Sequence, residues 1–99
     1  MDNYFSKNKI DIVIFLAGKV DGIQANILDP TGYFYENMQI ASNVIITAHK
    51  FNVHRLINIG SNCMYPRNRE LLSENDLLTG NLEPTNEGYG LAKLSSAYL

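Results

Sequence analysis

IDIVIFLA, residues 10–17, decides the fold. The stretch is nearly all apolar and rich in β-branched side chains, and it is too short for a core helix. Such a run reads as a strand buried on both faces, as in a parallel sheet. Residues 18–29 follow as a loop with glycines at 18 and 22. Pro30 then opens a helical pattern in which Phe34, Met38, Ala41, Ile45 and Ala48 recur at spacings of four and three. That stripe is expected to pack in the core. The helix should end at residues 50–52, where an asparagine follows a positive last turn.

RLINI, residues 55–59, is a second short apolar strand, closed by Gly60. Residues 61–84 form a long irregular stretch, and a loop of that length in a compact domain is usually functional. A last helix begins near Asn86, a good capping residue, and runs through Tyr89, Ala92, Lys93 and Ala97 to the end. The order is strand, helix, strand, loop, helix. A crossover helix between two apolar strands is the unit of a doubly wound parallel sheet, so the fold class is α/β. The unit is expected to be incomplete: the first strand wants further neighbours, and the chain stops at Leu99 within an amphipathic pattern.

Composition narrows the class of function. Hydrophobic residues make up 45% and charged residues 18% of the 99, the balance of a folded protein rather than a disordered one. A net charge of -2, with no basic cluster beyond Arg67 and Arg69, gives no reason to expect nucleic acid or an anionic membrane as partner. The longest apolar stretch, residues 12–18, is far short of a membrane span. Residues 1–9 are polar and mixed in charge, unlike a signal peptide. The single cysteine, Cys63, rules out an internal disulfide and agrees with a reducing cytoplasm. It also rules out a cysteine-based zinc site, and His49 and His54 lack the spacing of metal ligands, so no metal is expected.

Tyr89 and Lys93 lie four apart on the last helix and so face the same way. A phenol of pKa about 10 is a poor acid or base at neutral pH. An ammonium group beside it favours the phenolate and lowers that value, which makes a usable proton donor and acceptor. A solvated helix face would show the same spacing. Ser61 sits immediately beyond the second strand, where parallel α/β sheets bind their ligands, and its hydroxyl can hydrogen-bond a substrate oxygen as charge develops. An ordinary turn serine is the alternative.

The stretches FLAGKVDGIQANILDP, FYENMQIASNVIITAHKFNVHRLINIGSNCMYP and LLTGNLEPTNEGYGLAKLSSAYL resemble the extended short-chain dehydrogenase/reductase family, and within it the GDP-L-fucose synthases. They cover nearly the whole chain from about Asp11 onward. The segments KVDGIQAN, GSNCMYP and LEPTNEGYGLAK are the most specific. The resemblance implies a Rossmann-type sheet, with residues 1–99 as part of a single dinucleotide-binding domain that lacks the first strands and the C-terminal lobe. It implies NADP(H) as cofactor, GDP-4-keto-6-deoxy-mannose as substrate, and a homodimeric parent enzyme.

Roles follow by the same resemblance. Tyr89 would protonate the C4 oxygen as hydride arrives, Lys93 would hold the nicotinamide ribose and tune Tyr89, and Ser61 would hydrogen-bond the same keto oxygen. Cys63 matches the family cysteine that acts as acid or base in C3 and C5 epimerisation; its alternative is a small buried hydrophobe. Ala17, Gly18 and Lys19 match a turn where backbone passes the cofactor, or else an ordinary strand-ending turn with a solvated lysine. Asn37 matches an asparagine expected to tie backbone together rather than touch substrate.

Some positions depart from the family pattern. Asp21-Gly22 stands where the family usually has two glycines, and Ser61-Asn62 where it has two small residues. Glycines 18, 22, 32, 60, 80, 88 and 90 include no phosphate-binding turn after a strand. That turn, the family's second epimerisation residue (a histidine) and the sugar-nucleotide lobe are expected outside this stretch. Three readings therefore stand: the reaction centre of an epimerase-reductase making GDP-L-fucose, a non-catalytic remnant or interaction piece, and a related enzyme acting on another nucleotide sugar.

Overall fold

The computed structural model describes residues 1–68 and 70–99, so Arg69 lies outside the described residues. The elements run α1 (Asp2–Lys7), β1 (Ile12–Phe15), α2 (Ile23–Leu28), α3 (Pro30–Lys50), β2 (Arg55–Asn58) and α4 (Glu87–Ser96). Between β2 and α4 come three short 3-10 turns, Asn62–Met64, Glu74–Asp76 and Pro84–Asn86. Strands β1 and β2 pair in parallel, with Val13 opposite Leu56 and Phe15 opposite Asn58. The α/β class and the crossover helix joining parallel strands are as the sequence predicts.

Helix α3 carries its own start and stop signals. Asp29 caps it by accepting from the Gly32 N–H at 2.9 Å, and Pro30 fills the first turn, where its missing N–H costs nothing. At the far end Asn52 takes a left-handed backbone conformation, φ 54°. This lets the Val53 N–H reach the Ala48 carbonyl at 2.9 Å and the Asn52 N–H reach His49 at 3.1 Å. Those two bonds satisfy carbonyls that a helix end otherwise leaves open.

Four expectations need correction. The first strand is not buried on both faces: Phe15 is 4% exposed, but Ile12 and Ile14 are 55% and 58% exposed. The reason is that α3 and α4 both pack on the Phe15 side, where Ala41, Ala92 and Lys93 close over its ring. Second, the stretch 18–29 is not all loop, since α2 forms within it. Its six residues are too few to show a period, and Ile23, Ile27 and Leu28 are all exposed.

Third, the buried stripe of α3 matches the one read by periodicity at Ala41 and Ala48, with Met38 and Ile45 half-buried, but not at Phe34. Tyr33, Asn37, Ala41, Thr47 and Ala48 are buried, while Phe34 is 38% exposed. Phe34 lies at the edge of the α3–α4 contact, beside Gly88 and Leu91. Fourth, α4 does not run to the last residue: it ends at Ser96 with Ala97 as its cap. Asn86 does occupy the N-cap position, but its side chain makes no capping bond.

Candidate active site

The end of β2 delivers the first group. Ser61 follows Gly60 and caps the next turn, its Oγ accepting from the Cys63 N–H at 3.2 Å while the Met64 sulfur accepts from the Ser61 N–H at 3.2 Å. This short turn fixes Ser61 and Cys63 two residues apart on one rigid corner. Tyr89 arrives from the first turn of α4, and Lys93 from the turn after it.

Two glycines set that approach. A Cβ on Gly88 would lie 2.1 Å from the Pro30 carbonyl oxygen, and one on Gly90 would lie 2.5 Å from the Cys63 carbonyl oxygen. Only bare backbone at both positions lets α4 seat against the start of α3 and against the cysteine turn at once. The sequence reading passed over both; a tyrosine enclosed by glycines (G-Y-G) was the available signal.

Ser61, Cys63 and Tyr89 then line one cleft of about 350 Å³, together with Asp21, Gly22 and Asn26. Tyr89 has a pKa raised above its ordinary value, first by burial and then by the neighbouring Cys63, while a hydrogen bond with Ser61 acts in the opposite direction. The expected lowering by Lys93 is therefore corrected. The Lys93 Nζ stands 6.0 Å from the centre of the Tyr89 ring, donates instead to the Ile59 carbonyl at 3.3 Å, and burial outweighs any help to the phenolate. Lys93 is itself 6% exposed, and burial pushes its ammonium below the usual lysine range.

The turn after β1 borders the same centre. Ala17 and Lys93 share a void of about 10 Å³ with Phe15 and Asn37. Gly18 lies close enough that a Cβ there would come 3.2 Å from the Asn37 side-chain oxygen and 3.9 Å from the Tyr89 ring. The Lys19 peptide is clasped by Asn37, which confirms the backbone-tying role expected of that asparagine. The Lys19 ammonium binds Glu36 at 2.8 Å and sits 4.9 Å over the Tyr33 ring, so its charge is already engaged. Among the described residues no cluster of three or more metal-ligating side chains forms, and His49 and His54 join no such group. No helix among them is long and apolar enough to cross a membrane.

The model of the NAD dependent epimerase/dehydratase family matches residues 1–99. The chain belongs to that family. It is 46% identical over 97 residues to the GDP-L-colitose synthase of Yersinia pseudotuberculosis, covering 97% of this chain and 32% of that protein. It is 43% identical over 98 residues to the GDP-L-fucose synthase of Escherichia coli K12, covering 98% and 30%. Among solved structures, a GDP-mannoheptose C4 reductase from Campylobacter jejuni with NADP bound superposes with a TM-score of 0.88 at 34% identity, covering 98% of this chain and 31% of that one. Within the family, then, the chain spans about a third of the length of the curated relatives it matches.

Proposed function

We propose that these residues form the reaction centre of an NADPH-dependent nucleotide-sugar epimerase-reductase that converts GDP-4-keto-6-deoxy-D-mannose to GDP-L-fucose. One observation carries the reading: Ser61, Cys63 and Tyr89 line a single cleft, with Lys93 buried one helical turn behind. We further propose that residues 1–99 belong to one dinucleotide-binding domain.

The residues present fit the cofactor's nicotinamide end. Lys93 is a buried ammonium with three N–H donors and one hydrogen bond among the described residues, so it has donors left for ribose hydroxyls. Gly18 presents backbone without a side chain beside the Tyr89 ring. Ala17, Gly18, Ser61, Tyr89 and Lys93 would line that passage, and Lys19 would contribute backbone only. NADPH, when bound, supplies the hydride that reduces the C4 ketone, leaving NADP⁺.

Tyr89 donates its phenolic proton to the C4 oxygen, so the carbonyl ends as an alcohol. Its raised pKa keeps it protonated, and therefore a donor, throughout the neutral range. Ser61 hydrogen-bonds the same oxygen and steadies charge as it builds there. For epimerisation, the Cys63 thiolate removes a proton from the carbon next to the ketone, giving an enolate whose oxygen Ser61 and Tyr89 hold. A second acid on the opposite face returns a proton and inverts the carbon.

The test is turnover, with NADPH and GDP-4-keto-6-deoxy-mannose, by a protein that carries residues 1–99 together with the phosphate-binding turn and the sugar-nucleotide lobe expected outside them. Tyr89→Phe should slow NADPH oxidation by about 10²–10⁴-fold. Cys63→Ser should retain hydride transfer but abolish solvent deuterium uptake at C3 and C5. Loss of both activities together in Cys63→Ser, or folded unmodified protein that leaves NADPH untouched, would overturn the reading.

A further inference from the structure

The cleft that holds Ser61, Cys63 and Tyr89 has a second wall, and its chemistry is one-sided. Asp21 and Asn26 stand on it, and no lysine or arginine among the described residues lines the cavity. With no cation among the described residues lining the cavity, and with Lys19 behind it engaged by Glu36, the Asp21 carboxylate repels a diphosphate, so this wall faces a neutral ring rather than the charged part of a nucleotide sugar.

Both residues hold an unused acceptor. Asp21 is fixed through one carboxylate oxygen, which accepts from the Tyr33 hydroxyl; its second oxygen has no hydrogen-bond partner among the described residues. Asn26, on α2, is nine-tenths buried or more. Its amide nitrogen donates to the Gly22 carbonyl at 3.3 Å, and its side-chain oxygen is buried with no partner among the described residues. Folded proteins rarely leave such an oxygen unsatisfied without a reason. Opposite them, Ser61 and Tyr89 supply O–H donors.

We propose that Asp21 and Asn26 are specificity-determining residues that accept a hydrogen bond from a hydroxyl on the sugar carbon beside the ketone. The assignment rests on the epimerase-reductase reading above and deepens it. The donor side of the cleft takes the carbonyl, and the acceptor side takes the neighbouring hydroxyl. Together they fix which carbon faces Cys63. A sugar lacking that hydroxyl leaves the buried Asn26 oxygen unpaired, which discriminates more strongly than a missing contact alone.

The test compares two substrates in the same longer protein: a GDP-4-keto-6-deoxyhexose and its analogue deoxygenated at the carbon adjacent to the ketone. The unmodified protein should prefer the hydroxylated sugar by about tenfold or more in kcat/KM. Asp21→Ala and Asn26→Ala should each bring the ratio within about threefold, by slowing the hydroxylated sugar while sparing its analogue. Asp21→Asn, which keeps an acceptor oxygen, should restore part of the preference. Asp21 is exposed, so its variants are expected to fold even where Asn26→Ala is destabilised. A ratio unchanged by the Asp21 substitutions would overturn this assignment alone. Turnover of neither sugar by the unmodified protein would overturn the underlying reading with it.

Discussion

Asn37 holds both hydrogen-bonding groups of the Lys19 residue: its side-chain oxygen accepts from the Lys19 N–H at 2.8 Å, and its amide donates to the Lys19 carbonyl at 3.1 Å. A third bond, from the same amide to the Tyr33 carbonyl at 2.8 Å, anchors the clasp to the helix that bears it. One buried side chain thus fastens the turn after β1 to α3. Asn37→Ala should cost about 2–4 kcal/mol, since each lost bond is worth about 0.5–1.5 kcal/mol and the stranded groups lie near the core. Urea denaturation reads this as a lower midpoint at unchanged slope. A loss below about 0.5 kcal/mol would show that water replaces the clasp.

The neighbours of Tyr89 act on it in opposite directions, and each can be removed separately. Ser61→Ala should move the phenol pKa further up, because the hydrogen bond it deletes is the influence that lowers it. Cys63→Ala should move it down, by removing an anion that disfavours the phenolate. Tyrosine labelled at Cζ, followed by carbon NMR across the alkaline range, distinguishes the two, with Tyr89→Phe assigning the signal. Shifts in the same direction would contradict this account.

The same group links pH to stability. Tyr89 holds its proton more tightly folded than at its ordinary value of 10.0. Its contribution is fully present below that value and is lost as pH climbs through the higher folded one. Reductase activity should follow: flat through neutral pH and falling only above about 10.

Lys93 titrates in the opposite sense. Its folded pKa lies below the ordinary 10.5, so within that window the unfolded chain binds more protons and stability rises with pH. Below the window the burial penalty is complete. Lys93→Met should therefore stabilise the fold at pH 7 by about 1 kcal/mol while removing hydride transfer. That corresponds to about 4 °C or more in Tm. A destabilised variant would mean that the bond to the Ile59 carbonyl outweighs the buried charge.

Gly88→Ala should lower stability by about 1–3 kcal/mol, the usual range for overpacking, because the new methyl meets backbone that has no rotamer to yield. Chemical denaturation checks it. An unaffected midpoint would mean that α4 can slide away from Pro30 without loss.

The parallel pairing and the crossover helix were legible because they write long-range order into local pattern: β-branched runs, a proline at a helix start, an asparagine past its end. The placement of Ser61 just past a strand and of Tyr89 and Lys93 a turn apart on one helix was legible for a similar reason. Helix α2 was not, because six residues with exposed Ile23, Ile27 and Leu28 carry no period. The burial of Tyr33, Asn37 and Thr47 in α3 was hidden as well, because it depends on partners remote in sequence, among them α4, whose Gly88 seats against Pro30. Asn26 was invisible as a site residue, since only its burial and its orphaned oxygen single it out.

The glycines on either side of Tyr89 bear on anyone who would transplant this centre. A scan of every substitution across residues 88–90 should show three adjacent intolerant positions that fail in different ways: the outer two by prying the helix loose, the middle one while the fold persists. Grafting the phenol alone onto another scaffold would bring little with it. The smallest portable unit is the tripeptide together with the two carbonyls it leans on, those of Pro30 and Cys63.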